Sequence, residues 1–347
     1  ATAFQEMLTA SNMAFSLCPM LTTSAVEAFR HHGSDELKAV YLEKLLTGEW
    51  SGTMALTEPE AGSDVGALRA KAWQEDDGSW RVQGTKIFIT WGEHEMADNI
   101  IHFVLARVPG APPGTKGISL FLIPKYLVNS DGSLGEVNDV ECVSIEHKLG
   151  IHASPTAVMS YGDTTGAVGW LVGEANRGLE YMFVMMNRAR FEVGLQGIGI
   201  AERAYQQARA YARERVQGRD LEKGKDPNAP QVPIIRHPDV RRMLLGMKAY
   251  VEGMRSFVYY VGQCLDKEGL AADEAERVYY KGFGDLLTPL VKAYCAQRGF
   301  DVCVTALQVY GGYGYIKEYP MEQLVRDCKI TSIYEGTDGI QAMDLLG

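Results

Sequence analysis

Few residues in this sequence have the type and spacing that chemistry needs. The seven histidines include neither an HxH nor an HExxH, and the six cysteines (Cys18, Cys142, Cys264, Cys295, Cys303, Cys328) form no CxxC pair. No metal site is expected. No GxGxxG follows a strand-like run, which argues against Rossmann-type dinucleotide binding. Two short stretches remain. Tyr334-Glu335-Gly336-Thr337 presents a carboxylate beside a glycine that permits a tight turn and close approach of the backbone to a bound group. Such a carboxylate suits a general base if its pKa rises as water is expelled, because desolvation disfavours the charged form. In Thr57-Glu58-Pro59-Glu60-Ala61-Gly62-Ser63-Asp64 the small residues Ala61-Gly62-Ser63 would let the backbone approach a phosphate. Taken alone, Glu335 reads as a solvated loop glutamate, Thr57–Asp64 as a turn and Phe88 as a strand core residue.

The elements that must position these residues fall into three segments of a 347-residue chain, long enough for two or three domains. Residues 1–52 read as helical, with Leu37, Val40, Tyr41 and Leu45 on a 3.6-residue stripe before Gly48. Across residues 53–170 the texture changes to short apolar runs between turn residues, among them Trp80–Val82, Lys86–Thr90, Ile100–Ala106 and Gly117–Ile123. That series predicts a β-barrel or sandwich domain. Over residues 171–347 the helical period returns. Long helices are expected through Leu179–Tyr211, through Val240–Val261, and through Leu286, Leu290, Tyr294, Val302, Ala306 and Val309. Leu221–Pro233, rich in Lys, Asp, Pro and Asn, reads as a polar loop. Long helices with short connections predict an antiparallel bundle, so the fold class is α+β multidomain.

The formal net charge of −10 opposes a nucleic-acid partner, since phosphate binding needs an excess of Lys and Arg. No run of eighteen or more apolar residues is present, so no membrane-inserted helix is expected. The opening ATAFQEMLTASNMAF lacks the basic n-region of a signal peptide. With no initiator Met and no winding down at Leu346-Gly347, the sequence reads as a fragment. Unpaired cysteines point to a reducing compartment, the cytoplasm.

Three motifs in fixed order resemble signatures of the acyl-CoA dehydrogenase family: Ala55–Ala67, then Gln308-Val309-Tyr310-Gly311-Gly312-Tyr313-Gly314-Tyr315 with Glu318-Tyr319-Pro320, then Ile333-Tyr334-Glu335-Gly336-Thr337. The likeness covers nearly the whole chain and implies the family's fold of N-terminal helices, a middle β-barrel domain and a C-terminal antiparallel helical bundle. The extended 221–233 loop and the ending Ile340-Gln341-Ala342-Met343-Asp344 look most like the long subgroup, which includes 3-methylmercaptopropionyl-CoA dehydrogenases and carries an additional C-terminal region. Gln323 departs from a usually basic position, and Gly339 from a longer polar one near the FAD adenosine.

The resemblance implies FAD-dependent α,β-dehydrogenation of an acyl-CoA thioester, with Glu335 taking the α-proton and hydride passing to flavin N5. Family members that carry the base on the first long helix do so just before an arginine. Here that position is Ala189, ahead of Arg190. The resemblance makes Arg190 a neighbour of the base, Asn187 a CoA contact, and Tyr334 and Gly336 parts of the substrate turn, where a backbone N–H polarises the thioester carbonyl. An ordinary helix ion pair is the other reading of Arg190. Thr57, Thr90 and Phe88 resemble contacts of the flavin ring, and Ser63 a hydroxyl near the pyrophosphate. Arg215, Gln217, Gln308, Gly311 and Gly312 resemble positions that receive the ADP half from a neighbouring subunit, with Thr337 closing over it. Gln217 replaces the more usual Thr or Ser. The implied partners are an acyl-CoA, an electron-transferring flavoprotein and further copies of the chain, as a homodimer or homotetramer. The alternatives are an acyl-CoA oxidase and a non-catalytic, DNA-associated alkylation-response relative.

Overall fold

The computed structural model describes residues 1–223 and 225–346; Gly224, inside the expected polar loop, and Gly347 lie outside the described residues. Among the described residues the chain forms two compact units. One comprises Ala14–Lys148 and His152–Ala189, the other Ala1–Met13, Leu149–Ile151 and Arg190–Gly347.

In the first unit, helices α2 (Met13–His32) and α3 (Asp35–Thr47) precede the strands. Ser34 caps α3 by accepting from Leu37 N, Asp35 and Glu36 sit in its first turn, and Gly48 ends it in the left-handed region at φ 79°. Ten strands follow: β1 (Trp50–Ala55), β2 (Lys71–Gln74), β3 (Trp80–Thr90), β4 (Asn99–Ala106), β5 (Ser119–Pro124), β6 (Tyr126–Val128), β7 (Leu134–Val137), β8 (Val140–Ile145), β9 (Thr156–Tyr161) and β10 (Ala167–Leu171). Their main sheet runs β1-β4-β5-β10-β3-β9-β8, with β2 paired to β3 and a separate β6–β7 ribbon. β1 and β4 are parallel; the other pairs are antiparallel. β4 and β5 are buried on both faces and are mostly apolar, with Asn99, His102 and Ser119 as buried polar exceptions.

The expected barrel does not close. β1 and β8 are the two ends of the sheet and do not pair. The reason lies at the β1 edge. Gly52 N donates to Thr22 Oγ1 of α2 at 3.0 Å, and Thr53 Oγ1 donates to the Thr90 carbonyl at 2.8 Å. The edge is covered by a helix and pinned by side chains, so no closing strand is needed.

Glu58, expected as a turn residue, is buried. It accepts from Arg69 N at 2.6 Å and Ala70 N at 3.0 Å and pairs with Lys86, itself fully buried, at 2.8 Å. Lys86 also donates to the Leu56 carbonyl at 3.0 Å. Burial pulls its ammonium down to about 8 while Glu58 works the other way.

The second unit is helical: α1 (Thr2–Ser11), the long α4 (Gly178–Glu214, which begins in the first unit), α5 (Pro238–Leu270), α6 (Glu274–Tyr310), α7 (Met321–Lys329) and α8 (Asp338–Leu346). Strands β11 (Val216–Arg219) and β12 (Gln231–Pro233) pair at the base of the 221–233 loop. Pro238 opens α5, where its missing N–H costs nothing, and Asp273 caps α6 by accepting from Glu276 N. Helices α4 and α6 cross in backbone contact. A Cβ at Gly197 would lie 2.3 Å from the Cys295 carbonyl oxygen, and one at Gly299 2.5 Å from that of Gly197.

The expected stripe of α6 holds in its second half, where Val302, Ala306 and Val309 are buried, but not in its first. Leu286, Leu290 and Tyr294 are exposed, whereas Thr288, Val291, Lys292, Cys295, Gly299 and Val302 are buried. The crossing selects small residues for its contact, and this turns the large apolar side chains outward.

The Lys86–Glu58 pair gives an asymmetric expectation. Glu58→Ala strands a buried ammonium and two backbone N–H groups, costing about 3–5 kcal/mol. Lys86→Met leaves Glu58 with both backbone donors and costs clearly less. Urea unfolding of the two variants checks the order; equal losses would show that the ion pair does not organise this turn.

Candidate active site

In the helical unit Glu335 sits on the short link between a 3-10 turn at Ile330–Ser332 and α8. Its φ is 54° and that of Gly336 is 85°. A left-handed backbone costs a non-glycine residue about 1–2 kcal/mol, and such outliers persist where surrounding structure enforces them. Here the enforcing group is Gln341, buried to 1% exposure, whose Nε2 donates to the carbonyls of Glu335 at 3.0 Å and Gly336 at 3.2 Å. A Cβ on Gly336 would lie 2.7 Å from that nitrogen. Just before the base, the Tyr334 hydroxyl donates to Gln196 Oε1 of α4, and burial raises its phenol above the ordinary range.

The Glu335 carboxyl is pushed up to about 7, chiefly by burial; Arg190 and Lys292 act in the opposite sense. Both cations are withdrawn from water, at 2% and 0% exposure. Arg190 of α4 pairs with Asp344 at 2.7 Å. Lys292 of α6 pairs with Asp338 at 3.5 Å, and Gln297 Nε2 donates to the other Asp338 oxygen at 2.6 Å. Burial lowers the Lys292 ammonium, and Asp338 counters that. A carboxylate with a near-neutral pKa on a strained, clamped turn has the properties of a general base.

A second feature of this unit is a cavity of about 430 Å³ lined by Arg215, Gln217, Tyr310, Gly311, Gly312 and Tyr313, among others. Four of the five residues expected at an ADP-binding surface therefore share one wall; Gln308, exposed on α6, is not part of the lining. The Arg215 guanidinium lies 5.1 Å from the centre of the Tyr313 ring. Tyr211 and Tyr310 stack at 4.0 Å, with Tyr319 edge-on to both. Nothing lies within 4 Å of a Cβ built on Gly311 or Gly312, so side chains there would fill open space beside the cavity. Bare backbone, a guanidinium and aromatic faces are a donor set that suits a phosphate joined to a nucleoside. FAD fits these residues.

Thr337, expected over the cofactor, is exposed at the start of α8. Its hydroxyl accepts from Ile340 N at 3.3 Å and its carbonyl from Gln341 N at 3.0 Å. Asn187 is an exposed residue of α4.

In the sheet unit, Ile87 N donates to the Thr57 carbonyl at 2.9 Å, which lays the strand end carrying Thr57 against β3. The β3–β9 ladder slips between Lys86 and Ile89. At that bulge Phe88 takes φ 60° and stands 59% exposed, so it is not a strand core residue. Thr90 follows, half-buried, its carbonyl bonded to Thr53. Thr57, Phe88 and Thr90 are thus gathered at one bulge, while Ser63 lies exposed farther along the turn.

Sequence reasoning did not single out Gln196, Lys292, Asp338, Gln341 or Asp344. For Lys292 a signal existed, a cation in a run of small and apolar residues. The other four are polar residues of ordinary helical spacing.

Comparison with known proteins follows the same outline. Family models for the acyl-CoA dehydrogenase middle domain and C-terminal domain match residues 53–164 and 176–346. The chain is 51% identical over 345 residues to a 3-methylmercaptopropionyl-CoA dehydrogenase of Ruegeria pomeroyi, covering 99% of this chain and 58% of that protein. It is 35% identical over 328 residues to a short-chain specific acyl-CoA dehydrogenase of Clostridium acetobutylicum, covering 94% of this chain and 75% of the other. The structure of butyryl-CoA dehydrogenase from Megasphaera elsdenii superposes with a TM-score of 0.79 at 28% identity, over 99% of this chain and 79% of that one. The chain spans a little over half the length of the longer curated relatives it matches. With the motifs, the clamped glutamate turn and these matches in agreement, the chain belongs to the acyl-CoA dehydrogenase family, whose members are FAD-dependent flavoproteins.

Proposed function

We propose that this chain carries the dehydrogenating centre of an acyl-CoA dehydrogenase, with Glu335 as the base. The observation that carries the reading is the near-neutral carboxyl of Glu335, held on a left-handed turn and acted on by two buried cations. The reaction breaks two C–H bonds and forms one C=C bond. Glu335 takes the α-hydrogen as a proton, and FAD supplies the acceptor for the β-hydrogen, which leaves as hydride. Burial keeps the carboxylate basic enough to accept the proton; Arg190 and Lys292 keep an ionised fraction available at neutral pH. A backbone N–H of the Glu335–Gly336 turn polarises the thioester carbonyl as negative charge develops on it.

Arg215, Gln217, Gly311 and Gly312 receive the ADP half of FAD from a second copy of the chain, with Gln308 and Thr337 at the margin. The shared cavity and its arginine support this. Thr57, Phe88 and Thr90 contact the flavin ring and Ser63 the pyrophosphate; the exposed aromatic at a strained bulge supports that assignment. Asn187, Arg190, Tyr334 and Gly336 contact substrate. The outward Leu286, Leu290 and Tyr294 of α6 supply apolar surface for homo-oligomerisation. Electrons then pass to an electron-transferring flavoprotein. None of the described helices is long and apolar enough to cross a membrane.

Anaerobic titration with a panel of acyl-CoAs tests the reading. The oxidised flavin band bleaches with at least one acyl class, and a yellow protein that no thioester bleaches overturns it. Glu335→Gln keeps FAD and loses at least about 10²-fold in the rate of bleaching, the scale of a general base. For the wild type, kcat/KM rises with pH through about 7 as the carboxyl ionises.

The same group has an effect on stability. Its folded-state pKa is raised from 4.5 to about 7, so the folded protein binds this proton more tightly than the unfolded chain does. Stability falls as pH rises across that window and the loss is complete above it. Glu335→Gln therefore raises Tm at pH 8 and leaves it nearly unchanged at pH 4. A Tm difference of the same size at both pH values would count against a desolvated carboxyl.

A further inference from the structure

Helix α8 places three polar residues three apart, at Asp338, Gln341 and Asp344, hence along one face. Each engages a different part of the surroundings of Glu335. Gln341 holds the carbonyls of Glu335 and Gly336, Asp338 pairs with Lys292, and Asp344 pairs with Arg190. Lys292 and Arg190 are the two cations that act on the base.

We infer that this face of α8 is a positioning device for the base: Gln341 fixes the turn, and Asp338 and Asp344 partly neutralise Lys292 and Arg190. The inference deepens the reading of Glu335 as the base and rests on it. Two buried, uncompensated cations would hold the carboxylate ionised and make it a poor proton acceptor. Two buried cations fully cancelled would leave it protonated. Each acid takes part of its cation's field while remaining partly in water, at 28% and 42% exposure for Asp338 and Asp344. The charged groups that act on Glu335 are Arg190 from α4 and Lys292 from α6, each paired with an acid of α8, Asp344 and Asp338 respectively, and the neutral Tyr334 phenol lies on its own turn.

The sign is fixed by charge. Asp→Asn keeps a hydrogen-bond acceptor and removes a negative charge, so the cations act on Glu335 undiminished and its pKa falls. The test is a carboxyl 13C NMR titration of the full chain with FAD, labelled at glutamate, with Glu335→Gln identifying the resonance. The wild-type midpoint is near 7. In Asp338→Asn/Asp344→Asn it drops by about one pH unit, the scale of a change in one neighbouring charge. Asp344→Asn alone, at the more exposed acid, drops it by less in the same direction, and Asp344→Glu restores it. An unchanged or raised midpoint in the folded variants overturns the inference, as does an Asp344→Glu variant that behaves like Asp344→Asn. If no acyl-CoA bleaches the flavin, the catalytic reading fails, while the titration still decides whether α8 sets the charge state of Glu335. Where bleaching occurs, the acid limb of kcat/KM moves with the NMR midpoint.

Discussion

Removing water from Glu335 pushes its carboxyl up to about 7, while Arg190 and Lys292 pull it back, and much of the helical unit serves to keep both influences in place. Neither influence alone would give a usable base. A solvated glutamate is too acidic to hold the proton it takes, and a carboxyl buried among apolar groups stays protonated. The two cations must therefore be close and must themselves be kept from water, where their fields would be screened. That is why an arginine and a lysine occupy core positions of α4 and α6, each with an acid of α8 beside it.

The approach of α4 to α6 follows from the same requirement. Gly197 and Gly299 let the two backbones touch, and no side chain larger than hydrogen fits at either position. Gln196 and Lys292 project from the neighbourhood of that crossing, one to the Tyr334 hydroxyl and the other to Asp338. The left-handed backbone at Glu335 and Gly336 then reverses the chain tightly enough for α8 to begin at once. Strain in the turn, the close helix crossing and the buried cations are parts of one arrangement.

How much of this was legible in the sequence depends on what each feature demands of residue type. The order of helical, strand and helical segments was readable because the apolar period itself changes. The Glu335 turn stood out in the sequence because a carboxylate next to a glycine, within three ordered motifs, leaves few alternatives, and the structure gives that turn a left-handed backbone. Sheet closure was not readable, since periodicity describes faces and says nothing about edges; the side chain of Thr22 that covers β1 lies in a different helix. On α6 the buried residues Val302, Ala306 and Val309 were legible, but the first half of the helix was misread because it carries apolar residues on two sides and the larger ones, Leu286, Leu290 and Tyr294, point outward. Asp338, Gln341 and Asp344 have the spacing of any amphipathic helix, and only their partners in space distinguish them.

Two glutamates lie near buried lysines, Glu58 buried and Glu335 half-buried, and the difference between them shows what makes one a candidate base. Glu58 is met by two backbone N–H groups and by the Lys86 ammonium at 2.8 Å, so both its carboxylate oxygens are committed. It joins β3 to the turn after β1 and anchors that turn. At Glu335 the clamp grips the backbone carbonyls, through Gln341, and the charges act from a distance. Position is fixed by the main chain while the carboxyl stays free to change its proton. Separating the two tasks, holding the residue and leaving its reactive atoms uncommitted, is what distinguishes a site for chemistry from a structural ion pair.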